Sequence, residues 1–363
     1  MVCLYRQDLF FDRTSGNNLP GIVHLIVFSN FEGFNQDPEP SIRWFDACSQ
    51  AHPLIRWTHL YNPRHLLVTT PESIATDDGF SPYLLRERDQ GRAEIGLHLH
   101  LFYDLVEQAG VRPRANPFAG DTTANCTYPR TIIEDPQGLR GGYDVLITGY
   151  TEEERAALLD ASIGAFLHRG FDPPVVFCAG YSATDPALQA LLASKGFSVS
   201  FAAQFVPPNH YGSCWERLTP WSGRITPYSL PYRVSRSSVL PPPHASDGYL
   251  NLVELPLNLG VDTNALYLGD SPVSREDVFD RHSAWAMAGG RETAVAIGVH
   301  TNVVGYETWG NGPVSKVVDT FLSHVEKHTD TKNAVIQYGT ASRVATRFLE
   351  NKTVAAVCET GNR

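Results

Sequence analysis

The sequence predicts an α/β domain built on a largely parallel sheet, either open or closed into a barrel. Short apolar runs typical of buried strands alternate along the chain with amphipathic helical patterns. Polar and histidine side chains directly follow several of these strands. The chain has 363 residues, of which 42% are hydrophobic and 19% charged, so it can bury a large core. Barrels of this class often reach such a length as one domain.

The first half of the pattern contains three strands and one well-marked helix. Each strand is a run of apolar residues, predicted over 21–28 (GIVHLIVF), 55–61 (IRWTHLY) and 93–100 (AEIGLHLH). The helix is predicted over 151–170, where Thr151 and Glu154 form a capping box and Gly170 ends the helix. Strands followed by a helix of this length are typical of a parallel sheet with helical crossovers.

The second half repeats the alternation. A strand over 174–180 precedes a helix over 185–196, which begins with Asp185 as N-cap and Pro186 at the first helical position. The same criteria predict a strand at 197–202, a strand at 293–300, a helix at 314–328 and a strand at 333–338. The chain shows no internal repeat, so we expect a single domain over residues 1–363.

Two regions of this domain are irregular in sequence, residues 110–145 and 207–248. Both are rich in Pro, Gly, Asn, Ser and Tyr. Long loops of an α/β enzyme commonly shape the substrate site. We therefore expect at least one region to contribute to such a site, with Tyr211, Trp215 and Trp221 as aromatic candidates to stack on a sugar.

The composition excludes some classes of partner. A net charge of −10 argues against nucleic acid or an anionic membrane as the main partner. No apolar run approaches the roughly 18 residues of a membrane span, and the first residues lack the pattern of a signal peptide. The six cysteines are scattered without a C-x-x-C pair, which predicts a reduced, cytoplasmic protein. A small-molecule or carbohydrate substrate fits these features, and a homo-oligomer stays open.

The residues that follow the strands are the candidates for chemistry, because sites of parallel α/β folds gather at the carboxyl ends of the strands. In chain order these residues are Asn30, Glu32, His98, His100, Cys178, Tyr181 and His300. One carboxylate and two histidines would suit a divalent metal with open positions for water and substrate. A third histidine on a separate strand would suit a general acid.

The pair His98 and His100 can be interpreted in two ways. Residues two apart on a strand point to the same face, so the two rings would lie side by side and could share a metal ion. Alternatively, they are two hydrogen-bonded histidines at the end of a strand. The short pattern by itself does not distinguish the two interpretations.

A rival hypothesis places a nucleophile at Ser182. Strand, turn and helix around this serine resemble the G-x-S-x-G elbow of α/β-hydrolases, but Thr184 stands where the last glycine is expected. The chain contains neither a phosphate-binding G-x-x-x-x-G-K-[ST] loop nor a strand-linked G-x-G-x-x-G, so nucleotide cofactors are not indicated.

The order of these motifs resembles the polysaccharide deacetylase superfamily, which includes carbohydrate esterase family 4. EIGLHLH is similar to the histidine motif of that family, and FCAGYSATDPALQALLASKGF resembles its segment that begins Phe-Arg-Ala-Gly and continues through a helix to Gly-Phe. LVELPLNL and IGVHTN resemble its last two motifs. The resemblance covers residues 21–310, with the two irregular regions as insertions.

The resemblance implies a single distorted (β/α)7 barrel with long loop insertions over the carboxyl ends of the strands. It also implies hydrolysis of an amide, typically an N-acetyl group on an amino sugar. Carried over by position, Glu32, His98 and His100 would bind a divalent metal, with Zn²⁺ as first expectation, and His300 would be the acid. The expected substrate contacts are Cys178, Tyr181 and Trp309.

Two positions depart from the pattern of the family. Asn30 stands where the base carboxylate usually stands, and an amide cannot accept a proton. Cys178 stands where the family has the arginine that steadies the base. Allantoinase-like relatives, which open cyclic ureides, have a similar Asn-aromatic-Glu motif. The alternatives are therefore another base such as Glu32 itself, a cyclic amide as substrate, or a carbohydrate-binding protein that has lost catalysis.

Overall fold

The computed structural model describes residues 21–33, 37–67, 79–113, 146–203, 225–241, 247–261, 274–288, 290–330 and 334–350. The strands of its single sheet are β1 (Ile22–Phe31), β2 (Trp57–Tyr61), β3 (Ala93–Leu99), β4 (Val176–Ala179), β5 (Val199–Ser200), β6 (Tyr232–Ser235), β7 (Tyr249–Glu254), β8 (Leu259–Val261), β9 (Glu292–His300) and β10 (Val335–Tyr338). The helices are α1 (Pro38–Ala51), α2 (Phe80–Asp89), α3 (Tyr103–Gln108), α4 (Glu152–Arg169), α5 (Pro186–Ser194), α6 (Arg275–Met287), α7 (Thr301–Val304), α8 (Pro313–Asp330) and α9 (Ala341–Glu350).

The order of the strands is that of a sheet wound in one direction. From β1 the neighbours run β2, β3, β4, β5 and β7, while β9 and then β8 lie on the other side of β1. All these pairs are parallel, and only β6 is antiparallel, to β7. A doubly wound sheet would instead reverse its order at the first strand. The mixed α/β class and the largely parallel sheet are therefore confirmed.

The sheet curls around its own apolar interior. One cluster of buried side chains joins Phe28 of β1, Val176 of β4, Val253 of β7 and Ala296 of β9. These strands can share a core only if the sheet bends back on itself, as in a barrel. Among the described residues β6 and β8 are the two ends of the strand order, so the sheet is open there, and the sevenfold repeat stays a prediction.

Helix α9 closes the end of this interior away from the strand carboxyl ends. Its buried residues Ala341, Val344, Ala345 and Phe348 follow the i, i+3, i+4, i+7 spacing of one helical face. All four belong to the interior cluster. Phe348 also packs against His24, near the start of β1, with ring centroids 6.2 Å apart. The candidate site lies at the other end of the interior, at the carboxyl ends of the strands.

The helices and strands predicted from the sequence are observed with shifts of a few residues at their ends. Helix α4 has the predicted capping box at Thr151, and Gly170 follows it with φ 92°. The strand predicted at 197–202 is reduced to the two residues of β5. One prediction was wrong in part, because the irregular region 207–248 contains β6, whose Tyr232 and Val234 are buried in alternation. Residues 114–145 of the first irregular region lie outside the described residues.

Two further expectations concerned membrane-spanning segments and the state of the cysteines. None of the helices in the described ranges is both long and apolar enough to cross a membrane. Cys48 and Cys178 are buried free thiols, so the cysteines that the structure describes form no disulfide.

Candidate active site

The candidate site continues the inward-facing side chains of the strands beyond the apolar interior. On β1, Ile26 and Phe28 belong to the interior cluster, and Asn30 and Glu32 follow at the same two-residue spacing. Both polar side chains are buried, with residue exposures of 6% and 7%. The alternation that builds the core thus also brings a carboxylate and an amide to its open end.

The two histidines reach the same place from β3. A Cβ atom on Gly96 would lie 2.8 Å from Leu60 and 2.9 Å from Val176, so the interior is tightly filled just below them. His98 and His100 follow on the same face, and their ring centroids are 4.7 Å apart. The side-by-side arrangement predicted from the His-x-His pattern is observed.

Glu32 lies at the centre of three imidazoles. Its Oε2 is 2.7 Å from Nε2 of His100, and its Oε1 is 3.3 Å from Nε2 of His98. His300, at the end of β9, places its Nε2 3.6 Å from the same Oε1. Three histidines that the sequence singled out, from the ends of β3 and β9, are therefore within contact distance of the Glu32 carboxylate at the end of β1.

Backbone groups and a glycine hold the rings in position. His98 Nδ1 lies 3.1 Å from the carbonyl oxygen of Cys178, to which it donates when it carries the proton. A Cβ atom on Gly180 would lie only 2.6 Å from Nδ1 of His100, so the absence of a side chain makes room for that ring. These two contacts come from the end of β4 and the glycine that follows it, in the most specific part of the sequence resemblance.

Asn62 is a positioning residue that the sequence reasoning missed. Its Nδ2 donates to the carbonyl oxygens of Glu32 and His100, at 3.2 and 3.3 Å. The side chain is fully buried and thereby joins the ends of β1 and β3 through the end of β2. Its position in the sequence could have indicated a site residue, because Asn62 directly follows the second predicted strand and precedes a proline.

The electrostatics of the cluster favour a charged pair. Burial would raise the pKa of the Glu32 carboxyl, but the neighbouring imidazoles, His100 first, outweigh burial and hold that pKa well below its usual range. Burial also opposes the charged form of His98, yet the Glu32 carboxylate raises the pKa of His98 to about 9. The lowered pKa keeps the Glu32 carboxyl ionised, which is the state that a metal ligand requires.

Asn30 contacts the histidine on the opposite side of the cluster. Its Nδ2 is 3.2 Å from Nε2 of His300, whose side chain is 28% exposed and therefore accessible to solvent. Within the part of the chain that the structure describes, the buried Oδ1 of Asn30 has no hydrogen-bond partner. An amide oxygen in this position can accept a hydrogen bond from a substrate or a water molecule.

The residues present fit a divalent metal. Glu32, His98 and His100 offer three ligand atoms within 4.8 Å of one another. The buried Nε2 of His98 has no hydrogen bond of good geometry within the described ranges, although its Nδ1 is anchored on a carbonyl. A backbone oxygen on one ring nitrogen leaves the other free to bind metal, which is the usual outer contact of a metal-bound histidine. Two imidazoles and one carboxylate form a common catalytic zinc set.

The predicted substrate contacts lie in different surroundings. The thiol of Cys178 is buried and lies 3.4 Å from the carbonyl oxygen of Phe201, so the backbone of Cys178 rather than its side chain faces His98. Trp309 packs edge-to-face against Trp44 in the helical layer, with centroids 4.9 Å apart. The side chain of Tyr181, like Tyr211, Trp215 and Trp221, lies outside what the structure describes.

The rival nucleophile occupies a strained turn. Ser182 has φ 56°, a conformation uncommon for a residue other than glycine, in the short turn between β4 and α5. The residue is buried, with 5% exposure. The nucleophile hypothesis stays a prediction.

No protein-family model matches the chain. No curated protein matches it in sequence. Among solved structures, it is similar to a protein from Parabacteroides distasonis described as a glycoside hydrolase/deacetylase, with TM-score 0.52 and 11% identity over 91% of this chain and 71% of the other. A protein from Mycobacterium smegmatis described as a polysaccharide deacetylase has TM-score 0.49 and 13% identity, over 92% of each chain. The PuuE allantoinase has TM-score 0.49 and 12% identity, over 96% of this chain and 98% of the other.

At these identities the comparison concerns the fold alone. The chain shares its overall fold with the Parabacteroides distasonis protein across most of its length. The fold predicted from the motifs is thus shared with a structure described as a glycoside hydrolase/deacetylase, and membership of the polysaccharide deacetylase superfamily stays a prediction.

Proposed function

We propose that this protein is a hydrolase of a non-peptide C–N bond that removes the acetyl group from an N-acetylated sugar or sugar-like small molecule. The observation that carries the proposal is the buried triad of Glu32, His98 and His100 at the strand carboxyl ends. This triad would hold one divalent metal, with Zn²⁺ as first choice. When bound, such an ion polarises a carbonyl group and acidifies a water molecule.

The residues around the triad have separable roles in this proposal. Glu32 neutralises part of the charge of the ion, and the carbonyl of Cys178 fixes the ring of His98. Because Asn30 is a neutral amide and Glu32 would bind the ion, this proposal assigns proton exchange to the partly exposed His300. His300 would take a proton from the attacking water and return it to the leaving nitrogen, while Asn30 steadies its ring.

A second candidate is a hydrolase of cyclic amides. The observation that favours it is the Asn-Phe-Glu sequence of residues 30–32, which places a neutral amide 3.2 Å from His300. An amide can donate to a carbonyl oxygen and accept from a ring N–H at once, which suits a cyclic ureide. The third alternative is a carbohydrate-binding protein without catalytic activity, and an experiment must distinguish it from the two hydrolases.

The test is turnover on two substrate panels after loading with Zn²⁺. One panel contains N-acetylated sugars and nucleotide sugars, assayed for released acetate, and the other contains cyclic ureides, assayed for ring opening. We expect acetate release that is lost in Glu32→Gln and reduced 10²- to 10⁴-fold in His300→Gln, the usual range for a proton-transfer residue. The matched control is His168→Gln, at an exposed position on α4.

Each alternative has its own signature in this experiment. Ring opening without acetate release would replace the deacetylase by the cyclic amide hydrolase. Saturable binding of sugars without turnover in either panel would identify a silent binding protein. Equal activity of Glu32→Gln and the unchanged protein would remove the triad from the mechanism.

A further inference from the structure

A second group of metal-ligand side chains lies in the outer helical layer, between α6 and α8. It consists of Asp280 on α6 and of His324 and His328 on α8, and it is called the helix-pair cluster below. Its three ligand atoms lie within 4.8 Å of one another. The cluster shares no residue with the triad at the strand ends and has no part in the proposed reaction.

The spacing along α8 presents both imidazoles on one face. His324 and His328 are four residues apart, so they are neighbours on the helix surface, and their ring centroids are 4.6 Å apart. Nε2 of His324 is 2.8 Å and Nε2 of His328 is 3.0 Å from the same oxygen, Oδ1 of Asp280. Two imidazole nitrogens thus approach one carboxylate oxygen, and all three atoms are of types that bind zinc.

Packing below the rings restricts their freedom. The buried Phe279, which precedes Asp280, lies 6.1 Å from the ring of His324 and 5.5 Å from that of His328. Phe279 is fixed in turn by the buried Phe321 of α8, at 6.1 Å. Because the rings rest on this apolar floor, little side-chain freedom remains to be lost when an ion binds.

The exposure of the cluster leaves access for an ion. The side chains of His324, His328 and Asp280 are 27%, 29% and 43% exposed. An ion can enter from the solvent, and water can occupy the position that three protein ligands leave open in a tetrahedral zinc site.

We propose that Asp280, His324 and His328 form a peripheral Zn²⁺ site that joins α6 to α8. The ion would replace the hydrogen bonds that the two imidazoles now direct at one carboxylate oxygen. An ion bound only by the folded state stabilises that state, so the site would strengthen the contact between these two helices. The sequence signal for it is the His-x-x-x-His spacing in HVEKH, on the amphipathic helix predicted at 314–328.

The experiment measures Zn²⁺ stoichiometry in full-length protein stripped of metal. Four proteins are compared: the unchanged chain, His98→Gln with His100→Gln, His324→Gln with His328→Gln, and all four changes together. We expect the variant without the strand-end histidines to bind one Zn²⁺ per chain and the fourfold variant to bind none. Visible absorption of bound Co²⁺ should follow the same pattern, because its intensity reports the coordination geometry.

Two further variants make the outcome specific. Asp280→Asn keeps the shape of the side chain but removes its charge, and we expect at least a tenfold weaker affinity for Zn²⁺. His168→Gln, on the exposed surface of α4, is the matched control and should leave stoichiometry and affinity unchanged. If the strand-end variant fails to fold, the unchanged chain and His324→Gln/His328→Gln are compared directly, and a loss of one Zn²⁺ with an unchanged circular dichroism spectrum supports the site.

Two results would overturn the proposal. One is identical Zn²⁺ stoichiometry in the unchanged chain and in His324→Gln/His328→Gln, which would reduce the cluster to hydrogen bonds between helices. The other is a loss of Zn²⁺ binding in His168→Gln as large as in the cluster variant, which would mark non-specific surface binding.

Discussion

At the scale of single residues, the candidate site depends on a neutral amide at Asn30 and on the absence of a side chain at Gly180. The triad contains one carboxylate, because Asn30 brings no charge to the place where a second carboxylate would repel Glu32. Gly180 brings no side chain to the place that the ring of His100 occupies. Because of these two features, the candidate ligand atoms of Glu32, His98 and His100 lie close together without a second negative charge to repel Glu32 and without a steric clash at His100.

Replacing Gly180 by alanine should therefore disturb the metal site selectively. The new Cβ would lie 2.6–2.9 Å from atoms of the His100 ring, so the ring must leave its present position beside Glu32. We expect at least a tenfold loss of Zn²⁺ affinity at the triad and a destabilisation of about 1–3 kcal/mol, the usual cost of overpacking. Isothermal titration with Zn²⁺ in the His324→Gln/His328→Gln background and urea unfolding measure the two effects.

The matched control is Gly164→Ala on α4. Nothing lies within 4 Å of a Cβ atom at that position, and it is inside a helix. There alanine should stabilise by about 0.5–1 kcal/mol and leave Zn²⁺ affinity unchanged. Equal Zn²⁺ affinity in the two variants would show that Gly180 does not position His100.

At the scale of helices and strands, Asp185 links the segment that carries Gly180 to the helical layer. Its side chain caps α5 by accepting from the backbone N–H of Leu188, at 2.7 Å. It also accepts from the guanidinium of Arg155 on α4, at 2.9 Å. Arg155 is nearly buried and donates in addition to the carbonyl oxygens of Tyr150 and Thr148. One carboxylate thus begins a helix and neutralises a buried charge.

Two substitutions at Asp185 should separate these roles. Asp185→Asn retains a capping oxygen and loses the charge that faces Arg155, whereas Asp185→Ala loses both. Losing a cap costs about 1 kcal/mol, and leaving a buried cation without its partner costs about 3–5 kcal/mol. We therefore expect both variants to be destabilised in urea unfolding, with alanine the worse by about 1 kcal/mol. If the asparagine variant were as stable as the unchanged chain, the ion pair would contribute nothing.

At the scale of the whole molecule, several histidines are buried in their neutral form. Burial lowers the pKa of His59 and of His65 to about 3 and that of His282 to about 4. Their pKa in the unfolded chain is near 6.5. Between these values the unfolded chain binds protons that the folded chain does not, so stability falls as the pH falls from 6.5 towards 4.

His65→Phe should weaken this dependence on pH. The ring of His65 stacks on Tyr61 with an interplanar angle of 4°, and phenylalanine retains an aromatic ring there. One such histidine contributes a slope of up to about 1.4 kcal/mol per pH unit, which the variant would lose. Urea unfolding at pH 6.5, 5.5 and 4.5 measures the slope. His168→Phe, at an exposed position, is the control, and parallel curves for His65→Phe and the unchanged chain would contradict the assignment.

The sequence by itself determined the local structure and the identity of the candidate metal ligands. The capping box at Thr151, the N-cap at Asp185 and the apolar run of the almost fully buried β1 are local features, so the sequence alone indicates them. The same-face pairing of His98 and His100 followed from the two-residue period of a strand. The order of motifs along the chain also predicted the fold that the chain shares with the Parabacteroides distasonis protein.

Only the tertiary structure decided what surrounds these residues. The fully buried Asn62, the space beside Gly180 and the packing of Trp309 on Trp44 depend on contacts between segments far apart in sequence. The antiparallel β6 in a region without a clear strand pattern formed because β7 offers it hydrogen bonds. The helix-pair cluster arose in the same way, since α8 supplies the two histidines but only packing against α6 brings Asp280 to them. Ligand types are a property of the sequence, whereas the distances between them are a property of the folded chain.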